Sequence, residues 1–271
     1  MPITKTSDSA VWRKRTTLQQ WALWGGWFLL VVFFIFCWQV MTKDTIWYFV
    51  ADAPTQAADL GGRMFPPRWS YIDVLWAPLW DTLNIATLGT LLGIAIAIPV
   101  AFLAARNTTP SVLFVRPIAL FIIVSSRSIN SLIWALLLVA IIGPGILAGI
   151  VAIGLRSIGF VAKLLYEAIE EIDETQVEAI SATGASAAQV VDYAIVPQVL
   201  PAFFGISVFR WDINIRESTI LGLVGAGGIG LQLQASLNVL AWPQVTMIFI
   251  VILGTVVLSE WVSAKVRHAI I

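Results

Sequence analysis

Six stretches of this chain are each about as long and as apolar as a helix must be to cross the hydrocarbon core of a bilayer, which takes about 20 residues. They run from Trp21 to Met41, Leu83 to Ala105, Pro117 to Ile142, Ile146 to Leu165, Val199 to Val224 and Trp242 to Val262. The third is interrupted by a polar patch, SSRSIN at 125–130, and a Gly-Pro-Gly step at 143–145 separates it from the fourth. No strand-length alternation competes with these runs, so the expected fold is all-α and a β-barrel is excluded. Composition agrees: 59% of the 271 residues are hydrophobic and 12% are charged, against about 25% charged in soluble domains. That rules out a soluble enzyme and, equally, a disordered chain.

Charge placement sets the expected orientation. Lys5, Arg13, Lys14 and Arg15 precede the first span, Lys265 and Arg267 follow the last, and Arg106 and Arg116 lie between spans two and three. Six spans put both termini on one side, and the positive-inside rule makes that side cytoplasmic. The opposite side holds Lys43, Arg63 and Arg68 over a longer segment. The first span is too long for a signal-peptide core and is followed by MTKD, with no small-residue cleavage site, so it reads as a retained anchor. The expected layout is a tail at 1–20, the first span at 21–41, an aromatic and proline-rich outer segment at 42–80, a core at 81–265, and a tail at 266–271. Part of 42–80 reads as an amphipathic helix at the interface.

Function classes fall away quickly. Net charge is zero, so global charge predicts no nucleic-acid partner. One cysteine, Cys37, and one histidine, His268, leave no metal cluster and no His-based catalytic site. GAGGIG at 225–230 matches the dinucleotide fingerprint in letters only: a membrane span precedes it, and no acid occurs at 245–258. Its glycines, Gly225, Gly227, Gly228 and Gly230, read as a closely packed outer gate loop at the outer end of span five, near a dimer axis or the gate. There is no phosphate-binding P-loop anywhere in the chain. An intramembrane enzyme would need a dyad at membrane depth, and none is present; a secondary transporter would show two related halves, and no internal repeat is seen.

The informative cytoplasmic segment is 167–197. It contains Glu167, Glu170, Glu171, Asp173, Glu174, Glu178 and Asp192, seven of the sixteen acids. The pattern predicts a short helix over 175–183 stopped by Gly184, then a second helix started by a Ser186/Gln189 capping box and closed by Pro197. Val177, Ile180, Val190, Val191 and Ile195 would cover one side. Such a compact helical pair on a membrane domain reads as a docking element.

EAISATGASAAQVVDYAIVP resembles the EAA loop of ABC-importer permeases: Glu178, Ala179, Gly184 and Pro197 stand at the family's spacing, while Ile180, Ala194 and Val196 are apolar departures from it. KLLYEAIEEID (163–173), PQVLPAFF (197–204) and STILGLVGAGGIG (218–230) together resemble the phosphonate-type permeases, over most of 80–265. A Pro-Glu pair common in that family is replaced here by Ser128–Ser131. The resemblance implies a type I ABC importer permease fold in a bacterial inner membrane, dimeric with itself or a related permease. It implies two partner ATPase subunits that hold the ATP and Mg, and a periplasmic or lipid-anchored binding protein. The cargo would be phosphonate or a related phosphorus oxoanion; the alternative is another small solute such as methionine. The chain itself would bind no cofactor and carry no catalytic residue.

Charges inside spans cost energy and mark pathways or pairs. Arg127, ten residues into span three with no acid within a turn, is the first candidate to meet an anion, with Ser125, Ser126, Ser128 and Asn130 as neighbouring donors. In span five, Asp212 and Arg216 are four apart in the favourable order for an ion pair. Arg210, Asn214 and Glu217 fall on another face. Arg216, with Asn214 beside it, is the second path candidate, and Arg156 in span four the third.

Overall fold

The computed structural model describes residues 3–6, 9–12 and 15–270. Arg13 and Lys14, two of the residues behind the expected orientation, lie outside them. The chain divides into two compact units, residues 1–59 and 60–271.

The first unit opens with a two-stranded antiparallel ladder, β1 (Ile3–Thr6) against β2 (Ser9–Trp12), with Ile3 opposite Trp12. This small departure from an all-helical chain sits in the segment expected to be a tail. Helix α1 (Thr17–Thr42) follows, four residues longer at its start than the apolar run. Its start is set by a capping box: the Gln19 N–H donates to Thr16 Oγ1 and the Thr16 N–H to Gln19 Oε1. At 26 residues it spans about 39 Å, and none of its residues is buried. Helix α2 (Trp47–Met64) occupies part of the expected outer segment and ends inside the second unit.

The second unit is a set of packed helices: α3 (Ile72–Ala104), α4 (Val115–Ser128), α5 (Ser131–Ile142), α6 (Ile146–Glu170), α7 (Glu174–Ala182), α8 (Ala187–Val190), α9 (Val196–Leu221), α10 (Ile229–Asn238) and α11 (Trp242–Ile270). Among the described residues, five helices are long and apolar enough to cross a membrane, or six when α4 and α5 count as one broken span.

Small residues organise the centre. Gly89, Gly93, Ala97 and Ala101 stand at four-residue steps on α3 and are all buried. A Cβ at Gly93 would lie 2.5 Å from Ser157 Cβ, and one at Gly89 would lie 2.8 Å from Ile153 Cβ, so α3 and α6 are in near backbone contact. In lipid the hydrophobic effect does not drive helices together; close van der Waals packing of this kind does. Around it, Ala97, Ala101, Ile123, Val161, Leu165, Ile195 and Val199 form one buried cluster. Leu75, Ile229, Met247 and Ile248 form another.

Five expectations need correction. Helix α3 begins at Ile72, inside the segment written as 42–80, because Leu75 is buried against α10 and α11 and that packing carries the helix through Pro78. The third span is not continuous: α4 and α5 meet at an 88° bend. Asn130, in extended backbone, caps α5 by accepting the Leu132 N–H at 3.1 Å, which starts a new helix instead of continuing the old one. Pro197 does not close a helix. It lies in the first turn of α9, where the missing N–H costs least, after a π-helical turn over Val191–Ile195. Helix α10 was not expected at all, and residues 266–270 of the segment written as a tail are the last turn of α11.

Candidate functional site

The segment 167–197 folds as a surface platform. Asp173 caps α7 by accepting the Thr175 N–H at 2.9 Å. Hydrogen bonds from the Thr175 side chain and backbone hold the Asp173 carboxyl below its ordinary value. Gln198, on α9, ties the platform down: its Oε1 accepts the Asp173 N–H at 2.9 Å and its Nε2 donates to Ala194 O at 2.8 Å. After α7 the chain turns at Gly184, whose φ of +83° is in the left-handed region that favours glycine. The Ser186 N–H then donates to Gln189 Oε1 at 2.9 Å as α8 begins. Glu178, Ala179, Gly184 and Pro197 are all exposed, and a Cβ at Gly184 would meet nothing within 4 Å. On the other side Val177 and Val191 pack on the buried cluster. The platform therefore offers a free face while its base is anchored. Not all the acids belong to that face: Glu170 accepts the Arg106 N–H at 2.9 Å and pairs with Arg116 at 3.3 Å, and Glu167 pairs with Lys163 at 3.2 Å.

The glycine-rich segment is rigidly seated. Gly225, Gly227 and Gly228 all have φ between +77° and +88°. The Gly145 N–H donates to Gly225 O at 3.0 Å, and the Ile229 N–H donates to Thr82 Oγ1 at 2.8 Å. A Cβ at Gly228 would lie 2.6 Å from Thr82 Oγ1, and one at Gly230 would run into Thr219 O. These glycines close the α9–α10 connection onto α3 and the start of α6.

Arg127 is the last residue but one of α4, at the bend. Its side chain is exposed and makes no hydrogen bond or ion pair among the described residues. Its stem crosses Gly159 of α6, where a Cβ would lie 2.7 Å from Arg127 Cγ. Three of its four expected companions are committed elsewhere. Ser126 donates to Leu155 O and accepts the Gly159 N–H at 2.8 Å, pinning α4 to α6. Ser128 donates to Val124 O at 2.8 Å, and Asn130 Oδ1 is the α5 cap. Among the described residues at this bend, Arg127, the Asn130 amide nitrogen and the half-buried Ser125 hydroxyl remain without a hydrogen bond.

The α9 charges divide as the spacing predicted. Arg216 pairs with Asp212, and Ser259 of α11 donates to Asp212 Oδ1 at 2.7 Å. The Arg216 side chain is 48% exposed and that of Asp212 only 5%. Asn214 is not open to a path. It is fully buried, and its Nδ2 donates to Thr90 Oγ1 at 2.7 Å and Ser157 Oγ at 3.0 Å, linking α9 to α3 and α6.

Beside it lies a constellation that spacing alone does not assemble. Arg156 Nη1 donates to Glu217 Oε1 at 2.6 Å and, more weakly, to Ser131 Oγ at 3.4 Å. Arg210 Nε donates to Ser157 Oγ at 3.0 Å, its guanidinium lies 5.1 Å from the Phe160 ring centroid, and Nη2 is 3.6 Å from Glu217 Oε2. The signal in the sequence was the seven-residue interval between Arg210 and Glu217, two turns on one face. Nothing in the sequence showed that Arg156 meets them. Among the described residues no group of three His, Cys, Asp or Glu side chains is placed to hold a metal ion.

Comparison with known proteins gives a consistent picture. The chain is 40% identical over 231 residues to the phosphite transport system permease protein PtxC of Stutzerimonas stutzeri, covering 85% of this chain and 83% of that one. It is 39% identical over 209 residues to the phosphate-import permease protein PhnE of Mycolicibacterium smegmatis, covering 77% of this chain and 39% of that one. Among solved structures, an inward-facing form of the MetNI methionine ABC transporter matches with a TM-score of 0.65 at 21% identity, over 75% of this chain and 99% of that one. At that identity the likeness concerns the fold, that of an ABC importer permease. Residues 89–267 match the model for binding-protein-dependent transport system inner membrane components, and the chain belongs to that family.

Proposed function

We propose that this chain is the membrane permease of an ATP-driven importer for phosphonate or a related phosphorus oxoanion such as phosphite, hypophosphite or phosphate. The observation that carries the reading is the 40% identity to a phosphite permease over 85% of the chain. Two copies, or one copy and a related permease, would form the path, and a binding protein would deliver the anion to the outer face. Hydrolysis of ATP, with its Mg, belongs to separate ATPase subunits, since this chain contains no phosphate-binding loop. Those subunits would engage the exposed platform of Glu178, Ala179, Gly184 and Pro197. Its tether through Gln198 to α9 gives their closure a mechanical route to the helices that carry Arg156, Arg210, Arg216 and Glu217. Arg127, charged, exposed and without an internal partner, supplies a binding group for an anion in transit. The permease makes and breaks no covalent bond.

The test is ATP hydrolysis by the reconstituted complex with its binding protein, across methylphosphonate, phosphite, hypophosphite, phosphate and methionine. Stimulation by one of the phosphorus anions is expected. Stimulation by methionine alone would overturn the substrate assignment and leave the family intact. Replacing Gly184 by valine forces a β-branched residue into left-handed backbone, and is expected to abolish stimulated hydrolysis while the permease still folds. Normal coupling in that variant would remove the platform from its docking role.

A further inference from the structure

Among the described residues, five buried side-chain polar atoms have no hydrogen-bond partner, and three of them lie in one cluster: Arg210 Nη2, Glu217 Oε2 and Asn214 Oδ1. Folded proteins pair nearly all such atoms, so a concentration of exceptions needs a cause. A shortage of partners is not the cause. Arg210 Nη2 and Glu217 Oε2 face each other at 3.6 Å, an ion-pair distance too long for a hydrogen bond. The other oxygen of the same carboxylate is held by Arg156 at 2.6 Å. Glu217 therefore stands between two guanidiniums and bonds only one.

The two arginines are not equivalent. Arg210 is 2% exposed and fixed by Ser157 and Phe160, so no solute reaches it. Arg156 is 30% exposed, and apart from Glu217 its only bond is the long one to Ser131. Two cations and one anion leave the cluster with one positive charge in excess. A guanidinium offers the same donor fork to a carboxylate and to a phosphoryl-type oxoanion.

The geometry points to Glu217 as a tethered counter-ion, which occupies Arg156 in the empty permease and yields it to an incoming oxoanion by turning to Arg210. This rests on the anion-importer reading above and adds to it the residue that vacates the site. The move needs little motion. Glu217 and Arg210 are on the same helix, and closing their gap from 3.6 Å to about 2.9 Å makes a hydrogen bond. It also satisfies two orphaned atoms at once, which offsets the bond given up to Arg156. Because Arg156 is on α6 and Glu217 on α9, the exchange releases a tie between those helices when the anion arrives. Glu217 is in this sense a positioning residue, and Arg156 the residue that touches the anion.

The experiment compares Glu217→Gln with Arg156→Gln/Glu217→Gln in cells expressing the complete importer and in the purified permease. Uptake is measured for phosphite, methylphosphonate, phosphate and sulfate, and thermal unfolding is measured with each anion in turn. Gln at 217 keeps the shape and an acceptor for Arg156 but removes the competing charge. The expected result is a KM for uptake lower by about fivefold or more, the low end of coupling between linked sites, and a larger anion-dependent rise in Tm than in the unaltered protein. The double variant should fold as the single one does and lose both effects. An unchanged KM in Glu217→Gln, or full uptake by the double variant, would make the cluster a structural ion pair only and overturn the proposal. Should Glu217→Gln fail to fold, Arg156→Lys keeps the charge and loses the fork; a raised KM at unchanged kcat is then expected, and an unchanged KM overturns the proposal. If the pattern appears with sulfate and with no phosphorus anion, the substrate assignment fails while the counter-ion role stands.

Discussion

Arg127 and Arg210 are both arginines set in apolar helices, and the protein treats them in opposite ways. Arg210 is buried to 2% exposure, bonded to Ser157, stacked on Phe160 and facing Glu217. Arg127 lies at the open bend between α4 and α5, with its stem on Gly159 and its guanidinium bonded to nothing among the described residues. A charge in a span signals either a pair or a pathway; Arg210 is paired, whereas Arg127 has no partner among the described residues. The difference teaches that position within an apolar run does not decide which. What decides it is the residue opposite on a neighbouring helix: Ser157 and Phe160 for Arg210, a side-chain-free glycine for Arg127.

The largest effect should follow from breaking the buried member. Arg210→Leu removes the Ser157 bond, worth about 1.5–3 kcal/mol for a charged donor, and a desolvated contact over Phe160 worth about 2 kcal/mol, while Glu217 keeps Arg156. A fall of that size in the unfolding free energy of the purified permease is expected. A variant as stable as the unaltered protein would abolish the contrast with Arg127.

Next comes the seat of the exposed member. A Cβ at Gly159 would fall 2.5 Å from Ile123 O, 2.7 Å from Arg127 Cγ and 2.8 Å from Ser126 Oγ. The Arg127 stem can give way; the Ile123 carbonyl is backbone and cannot without moving α4. Gly159→Ala should therefore cost about 1–3 kcal/mol by overpacking, measurable as a lower Tm. An unchanged Tm would show that α4 is free to shift.

How far these sites were legible in the sequence differs between the two for the same reason. Hydropathy located the spans because about 20 apolar residues in a row have few other uses. Capping chemistry located the end of α7 and the start of α8, since Gly184, Ser186 and Gln189 act within a few residues of themselves. The Asp212–Arg216 pair was readable as an i, i+4 contact on one helix. The Arg156–Glu217 contact joins residues 61 apart on different helices, and no local rule predicts it. Ser126 and Ser128 were misread because their donors serve the junction with α6 and α4 itself, and that junction depends on how closely Gly159 lets those helices approach. That closeness did have a signal, the four-residue spacing of Gly89, Gly93, Ala97 and Ala101, but it belongs to packing and is invisible to hydropathy. Helix α10 was missed because only its burial against α3 and α11 distinguishes it from a loop.

Arg216 stands between the two extremes and grades the comparison. It is 48% exposed, yet its partner Asp212 is 5% exposed and keeps only Ser259 if the pair is cut. Exposed pairs are worth about 0.2–1 kcal/mol, so Arg216→Gln should cost about 1 kcal/mol in unfolding free energy, less than either change above. A loss as large as that of Arg210→Leu would place Arg216 with the buried charges.

The smallest effect on stability belongs to Arg127→Ala, and that is what makes it the sharpest test. Nothing is left unpaired when its guanidinium goes, so the unfolding free energy should stay within about 0.5 kcal/mol, as for ordinary surface changes. Anion uptake should nevertheless fall, because an unpartnered cation beside the bend has no structural task to explain its presence. Loss of uptake at unchanged Tm and unchanged basal ATP hydrolysis would put Arg127 in contact with the cargo. Unchanged uptake would instead leave its charge to the bilayer surface, with its stem serving only to cover Gly159. In that case the path would have to be sought on the Arg156 side of α6, less than one helical turn away.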